Sequence, residues 1–300
     1  MEKGIAIITG ADGGMGREIT LALAKEGFQI IMACKEPDKA RTVCDKIKKE
    51  SGNERIEIRQ IDLSSLASVR SFADKLLAEG RPVSRLMNNA GVLTTNIRQT
   101  ADGLETIVSV NYVGPYLLTR LLLPLMQRGS RIVNTVSCTY AIGRIESDFF
   151  SKGKNGRFSR IPVYGNTKLA LLLFTRELAE RVKEKGITVN AADPGIVSTN
   201  MITMHAWFDP LTDILFRPFI KTAAQGAATA IYLAQSPEAD GKSGGCYANC
   251  KEKKLPERIL HHPLQRRLWD DTEALLLSRN LLTVYHVLSV ISETDHHACL

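Results

Sequence analysis

The chain has 300 residues, is 44% hydrophobic with a mean hydropathy near zero, and carries 39 basic against 32 acidic residues for a net charge of +7. Such a chain can bury a large core as a soluble globular protein, which excludes a disordered or fibrous polypeptide. Its basic residues are scattered through mixed runs such as DKIKKESGNER instead of clustering, which argues against nucleic-acid binding.

The opening MEKGIAIITG runs directly into an apolar strand pattern, so no signal peptide is expected. Short apolar runs then alternate with amphipathic ones. GIAIITG, FQIIMAC, RIEIRQID, RLMNNAG, RIVNTVS, GITVNAADPG and GGCYANC read as strands. Between them GREITLALAKEG, PDKARTVCDKIKKE, LASVRSFADKLLAEG and YLLTRLLLPLMQRG read as helices. This alternation predicts an α/β fold, a single doubly wound, Rossmann-type parallel sheet flanked by helices over residues 1–250, followed by a helical C-terminal extension over residues 251–300. Within the extension, ALLLSRNLLTVYHVLSVI is interrupted by Arg279 and His286, so an amphipathic helix against the core or a partner is expected and no integral membrane span.

In such sheets ligands sit beyond the carboxyl ends of the strands. The first strand ends in Gly10-Ala-Asp-Gly-Gly14-Met15-Gly16, which opens a helix. Gly10, Gly14 and Gly16 allow a sharp turn and close backbone approach, while the helix N-terminus offers amide donors to a pyrophosphate. A plain strand-to-helix turn is the competing reading, and the position at the first such junction favours a nucleotide. At the tip of the second strand an acidic residue suits the ribose of NAD and a basic one the 2′-phosphate of NADP. Lys35 therefore favours NADP(H) over NAD(H), with Glu36 as the opposing feature. The third strand ends in Asp62-Leu63, where the carboxylate serves either the adenine amino group or the cap of the next helix. The six cysteines, with no leader ahead of them, predict reduced thiols in the cytosol. Cys246 and Cys250, like the pairs His261-His262 and His296-His297, lack companions for a metal site, so no metal is expected.

Four stretches in order, the glycine turn, LMNNAGV with Asn88 to Gly91, Ser137 at the end of the fifth strand, and Tyr164-x-x-x-Lys168, resemble the short-chain dehydrogenase/reductase family over residues 3 to about 250. The stretch TADGLETIVSVNYVGPYLLTRLLLPLM, the Ser137-to-Tyr164 spacing and YGNTKLALLLFTREL are similar to its retinol-dehydrogenase-like branch. The resemblance implies an NADP(H)-linked interconversion of an alcohol and a ketone or aldehyde. It assigns catalysis to Asn111, Ser137, Tyr164 and Lys168, and lays the cofactor ribose along Asn89, Ala90 and Gly91. Nicotinamide contacts fall on Pro194, Gly195, Ile196 and Thr199. Where the family usually has two serines this chain has Val136-Ser137, and where the branch often has histidine it has Asp193, a departure on the substrate side. The family also often pairs subunits through the helices containing Asn111 and Tyr164, which implies a homodimer or homotetramer.

The chemistry explains these residue types. A carbonyl accepting hydride needs a proton, and a phenol supplies one when its pKa falls from near 10. At i and i+4, Tyr164 and Lys168 share a helix face, so the ammonium stabilises the phenolate and holds the ribose hydroxyls. Ser137 orients the substrate oxygen by donating to it. Asn111, a poor helix former, bonds backbone and orders a water beside Lys168. Met201, Met204, Trp207, Phe208, Leu215 and Phe216 read either as an apolar lid over a lipophilic or aromatic small molecule or as the core of a helix pair. The expectation is a cytoplasmic oxidoreductase. The alternative is a regulatory NADP(H) sensor without turnover, which has no need of a proton donor.

Overall fold

The computed structural model describes residues 3–151, 159–197 and 221–283. Seven strands are parallel: β1 (Ile5–Thr9), β2 (Gln29–Cys34), β3 (Ile56–Gln60), β4 (Val83–Asn88), β5 (Arg131–Thr135), β6 (Thr188–Ala192) and β7 (Cys246–Ala248). A short β8 (Lys251–Glu252), absent from the sequence expectation, returns antiparallel to β7. The order β3-β2-β1-β4-β5-β6-β7-β8 reverses direction between β1 and β4, and that switch point opens a crevice at their carboxyl ends.

The helices are α1 (Gly14–Lys25), α2 (Pro37–Ser51), α3 (Leu66–Glu79), α4 (Thr106–Val108), α5 (Gly114–Leu122), α6 (Arg160–Arg181), α7 (Ala223–Gln235), α8 (Glu257–Leu260) and α9 (Gln265–Leu277). Local chemistry sets their ends. Pro37 starts α2, Ser65 caps α3 through Ser68 N, and Gly80 ends α3 at φ 64°. A reciprocal Thr222–Gln225 capping box opens α7, a helix with no counterpart among the predicted ones.

Both faces of the sheet are covered, which is why the strands read as unbroken apolar runs. Ile5 and Ile7 of β1 join the core under α3, α5 and α6, while Ala6 and Ile8 join the one under α1, α2 and α7. A buried polar ladder crosses the first core. Asn88 Nδ2 donates to Thr119 Oγ1 at 2.9 Å and Asn134 Oδ1 at 2.8 Å, and Asn134 Nδ2 donates to Thr175 Oγ1 at 2.9 Å, tying β4 and β5 to α5 and α6.

The C-terminal extension packs into that same core through Leu255, Ile259, Leu268, Trp269, Leu276 and Leu282. Glu273 of α9 forms a buried ion pair with Arg120 of α5 and accepts from Tyr116 Oη. Tyr112 Oη bonds Thr272 Oγ1 at 2.9 Å. All nine residues of α5 are buried. Among the described residues no helix is long and apolar enough to cross a membrane.

Candidate active site

The first strand-to-helix turn is built by contact between glycines. Gly10 takes φ 63°, and a side chain at Gly16 would collide with the Gly10 carbonyl. Thr9 then organises the switch point. Its Oγ1 accepts from Asn89 N and Ala90 N, both at 3.0 Å, and Asn89 Nδ2 returns a bond to Thr9 O at 3.0 Å. A cavity of about 230 Å³ opens here, lined by Gly10, Lys35, Asp62, Leu63, Ala90 and Gly91 among others.

Three features of this crevice fit an adenine dinucleotide. No side chain caps the amides at the start of α1. The buried Asn89 Oδ1 has no hydrogen-bond partner within the chain. A Cβ on Gly91 would point between Asn111 Oδ1 at 3.4 Å and Lys168 Nζ at 3.5 Å, so the glycine leaves the floor in front of both groups open. Met15, expected to line the cofactor, instead turns its sulfur toward Gly226 of α7. Gly14 sits against the start of the same helix.

At the second and third strand ends, Lys35 Nζ pairs with Asp62 Oδ2 at 3.0 Å, while Glu36 pairs with Lys39. Asp62 Oδ1 accepts from Ser64 N at 2.9 Å and from the Ser64 hydroxyl at 2.5 Å. The cap of α3 is Ser65, so Asp62 does not serve as the cap that was one of its two expected roles. Burial works to raise the Asp62 pKa, but hydrogen bonds from Ser64 and Lys35 outweigh it and leave the carboxyl below its ordinary value. The Leu63 carbonyl accepts from Ser109 Oγ at 3.0 Å, and Gly114 lets the helix approach it.

Asn111 lies in a π turn, Ser109–Val113, between α4 and α5, where a regular helix was expected. The turn aims its amide at Val92: Oδ1 accepts from Val92 N at 2.8 Å and Nδ2 donates to Val92 O at 2.9 Å, and the same amide reaches Thr167 Oγ1 at 3.3 Å. Asn111 thereby clamps the strand end after β4 to α6.

Ser137 follows β5 and accepts from Thr139 N at 3.4 Å. Helix α6 seats closely on this segment because Gly143 and Gly165 face each other. A Cβ at Gly165 would lie 2.9 Å from Thr139 O, and one at Gly143 would strike the Gly165 carbonyl. The close seating places the Tyr164 hydroxyl within hydrogen-bond reach of Ser137, while Cys138 is exposed. Lys168 is buried, donates to Thr135 O at 2.8 Å, and holds its ammonium 5.5 Å from the Tyr164 ring centroid.

The electrostatics differ from the sequence expectation. Burial pushes the Tyr164 phenol up to about 12, against the pull of the Ser137 hydrogen bond, where a fall below 10 was expected. Burial also brings the Lys168 ammonium down to about 8, against the attraction of Asp193. With no cofactor in the crevice, desolvation dominates both groups.

After β6, Gly195 takes φ 77° and donates to Asp193 Oδ1 at 3.0 Å, Pro194 is buried, and Ile196 is exposed with its carbonyl bonded to Lys221 N at 2.8 Å. Thr199 and the six apolar residues from Met201 to Phe216 lie outside the described residues. Sequence reasoning missed three contributors to the site: Thr9, the Gly143–Gly165 contact and Lys253, which pairs with Asp193. Only the glycines carried a signal that could have been read, since both lie near proposed catalytic residues.

Residues 4–206 match the short chain dehydrogenase family. The chain is 36% identical to Retinol dehydrogenase 14 of Homo sapiens over 288 residues, covering 90% of this chain and 85% of the relative. It is 36% identical to Retinol dehydrogenase 12 of Mus musculus over 274 residues, covering 91% and 86%. Among solved structures, an uncharacterized protein from Mycobacterium paratuberculosis superposes with a TM-score of 0.73 at 28% identity, covering 91% of this chain and 92% of that one. A short chain dehydrogenase from Burkholderia cenocepacia J2315, solved in complex with NADP, shares the fold with a TM-score of 0.67 at 24% identity, covering 83% and 96%. With the family match extending over more than half of its length and these relatives spanning it nearly end to end, the chain belongs to the retinol-dehydrogenase-like branch of the short-chain dehydrogenase/reductase family of oxidoreductases.

Proposed function

We propose that the protein is an NADP(H)-preferring alcohol dehydrogenase or carbonyl reductase acting on a lipophilic small molecule, with Tyr164 as its acid and base. The observation that carries this reading is the Ser137–Tyr164 hydroxyl pair at the carboxyl end of β5, with the buried Lys168 ammonium behind it. A bound nicotinamide supplies or accepts the hydride.

The chain's own residues handle the proton and the substrate oxygen. Ser137 Oγ donates to that oxygen and holds it next to Tyr164 Oη, which gives up its proton in reduction and takes one in oxidation. Lys168 favours the phenolate when it forms and reaches toward the open floor at Gly91, where ribose hydroxyls would lie. Asn111 fixes the backbone at Val92 and, through Thr167, the first turns of α6. A phenol pushed up to about 12 is fully protonated at neutral pH, which suits reduction and makes oxidation rise with pH.

Lys35, exposed at the rim of the crevice, supports the NADP(H) preference. The relatives named retinol dehydrogenases support a lipophilic alcohol or aldehyde as substrate. The five cysteines among the described residues are unpaired, which supports a reducing, cytoplasmic setting. The test is NADPH oxidation by the purified protein with a panel of aldehydes and ketones. Tyr164→Phe should lose roughly 10²–10⁴-fold in turnover while binding NADPH as tightly as wild type. Undiminished turnover in that variant refutes the reading.

A further inference from the structure

Asp193 is a buried carboxylate for which the mechanism above has no task. It stands one residue past β6, beside the end of β5, where Val136 N donates to Ala192 O at 2.9 Å and Lys168 Nζ donates to Thr135 O at 2.8 Å. Its Oδ2 meets Lys253 Nζ at 2.8 Å. Lys253 arrives from the far edge of the sheet. It follows β8, and the Asn249-Cys250 turn that sends it back has both residues at positive φ, 51° and 59°, the geometry of a tight two-residue hairpin. Its amide is fixed by Cys246 O at 2.7 Å, and its ammonium lies 4.9 Å from the Tyr140 ring centroid.

The groups facing Tyr164 are Ser137 and Cys138 from the end of β5, Lys168 from α6 and Asp193 from the end of β6. Around Asp193 stand Lys253, Tyr140 and Cys246, with Glu252 beside them. A bare carboxylate in this position would hold the phenol proton and oppose the phenolate, and the hairpin delivers a cation to it.

We propose that Lys253 is a positioning residue that sets the proton affinity of Tyr164 by neutralising Asp193. The coupling rests on the reading of Tyr164 as the group that exchanges the proton. It makes the β7–β8 hairpin, far from the glycine turn in sequence, a determinant of the pH at which the site works.

The test is a titration of the cofactor-free protein labelled with ¹³Cζ-tyrosine; Tyr164→Phe assigns the resonance among the seven tyrosines. Asp193→Asn keeps an acceptor for Gly195 N and removes the charge, so the Tyr164 midpoint falls by about one pH unit, a roughly tenfold gain in phenolate at fixed pH. Lys253→Met moves it upward by about as much, and Lys253→Arg, which keeps the cation, restores the wild-type midpoint. The pH profile of kcat/KM for alcohol oxidation shifts in the same directions. A pair that only braced the hairpin would lower Tm in Asp193→Asn and Lys253→Met and leave the midpoint in place, and an unmoved midpoint in both overturns the proposal. A wild-type protein that turns over no substrate would defeat the enzymatic reading, yet the titration would still report whether the coupling exists.

Discussion

Replacing Lys168 with methionine should stabilise the cofactor-free protein at neutral pH and destabilise it at high pH. Burial lowers the Lys168 pKa from 10.5 to about 8. Below about 8 the lysine is charged in both folded and unfolded chains, and the folded state carries the whole desolvation cost. Between 8 and 10.5 the unfolded chain binds more protons than the folded one, so stability attributable to this residue rises with pH. Above 10.5 both forms are neutral and the cost has gone. At about 1.4 kcal/mol per pKa unit, the neutral-pH cost is about 3 kcal/mol. Methionine removes it but leaves Thr135 O without its 2.8 Å donor, a loss of about 1 kcal/mol at any pH. The variant should therefore be more stable than wild type by about 2 kcal/mol at pH 7 and less stable by about 1 kcal/mol at pH 11. Urea unfolding of both proteins across that range measures the difference directly, because other titrating groups cancel between them. A difference that stays flat from pH 7 to 11 would refute the argument that this ammonium is held in place against its own desolvation.

The remaining predictions test the packing and the crevice. Glu273→Ala strands Arg120 in the core and should cost about 3–5 kcal/mol in urea unfolding, whereas Arg120→Met combined with Glu273→Leu should recover most of it; equal losses in the two proteins would show that the ion pair is not what fastens α9. Gly91→Ala adds a methyl at ordinary contact distance from Asn111 and Lys168, so Tm should hold while NADPH affinity, read by fluorescence titration, falls about tenfold or more. Lys35→Asp should lower the ratio of NADPH to NADH affinity by at least about tenfold through loss of a charge-assisted contact and addition of like charge; an unchanged ratio would remove Lys35 from phosphate recognition.

Much of this architecture was legible because it rests on local rules. The seven strands end where apolar runs meet glycine, asparagine or a charged residue, and the proposed site residues stand at those ends because parallel sheets expose their ligands there. What escaped was set by neighbours distant in sequence. β8 is two residues long, and its turn uses Asn249 and Cys250 without a glycine, so no hairpin signal precedes it. The π turn at Asn111 depends on Glu105, whose carboxylate accepts from Ile107 N at 2.6 Å, and on Gly114, which meets the Leu63 carbonyl. The direction of the Tyr164 shift escaped for a related reason. Spacing at i and i+4 puts a cation near a phenol but says nothing of how much water the fold removes from both.

The expectation of subunit pairing shows the same limit from the other side. An apolar α5 following SVNYVG reads equally as a helix that meets a second subunit and as one covered by its own chain, because both require a dry face. The extension decides between them. Tyr112, Tyr116 and Arg120 recur every four residues along one face, and each finds a partner on α9: Thr272, Glu273, and Glu273 again with the Trp269 ring 4.8 Å from the guanidinium. Two phenols and a guanidinium buried on one helix face need acceptors that an apolar partner could not supply. The polar content of α5 thus identifies its cover as a helix that brings a carboxylate and a hydroxyl, and α9 carries both.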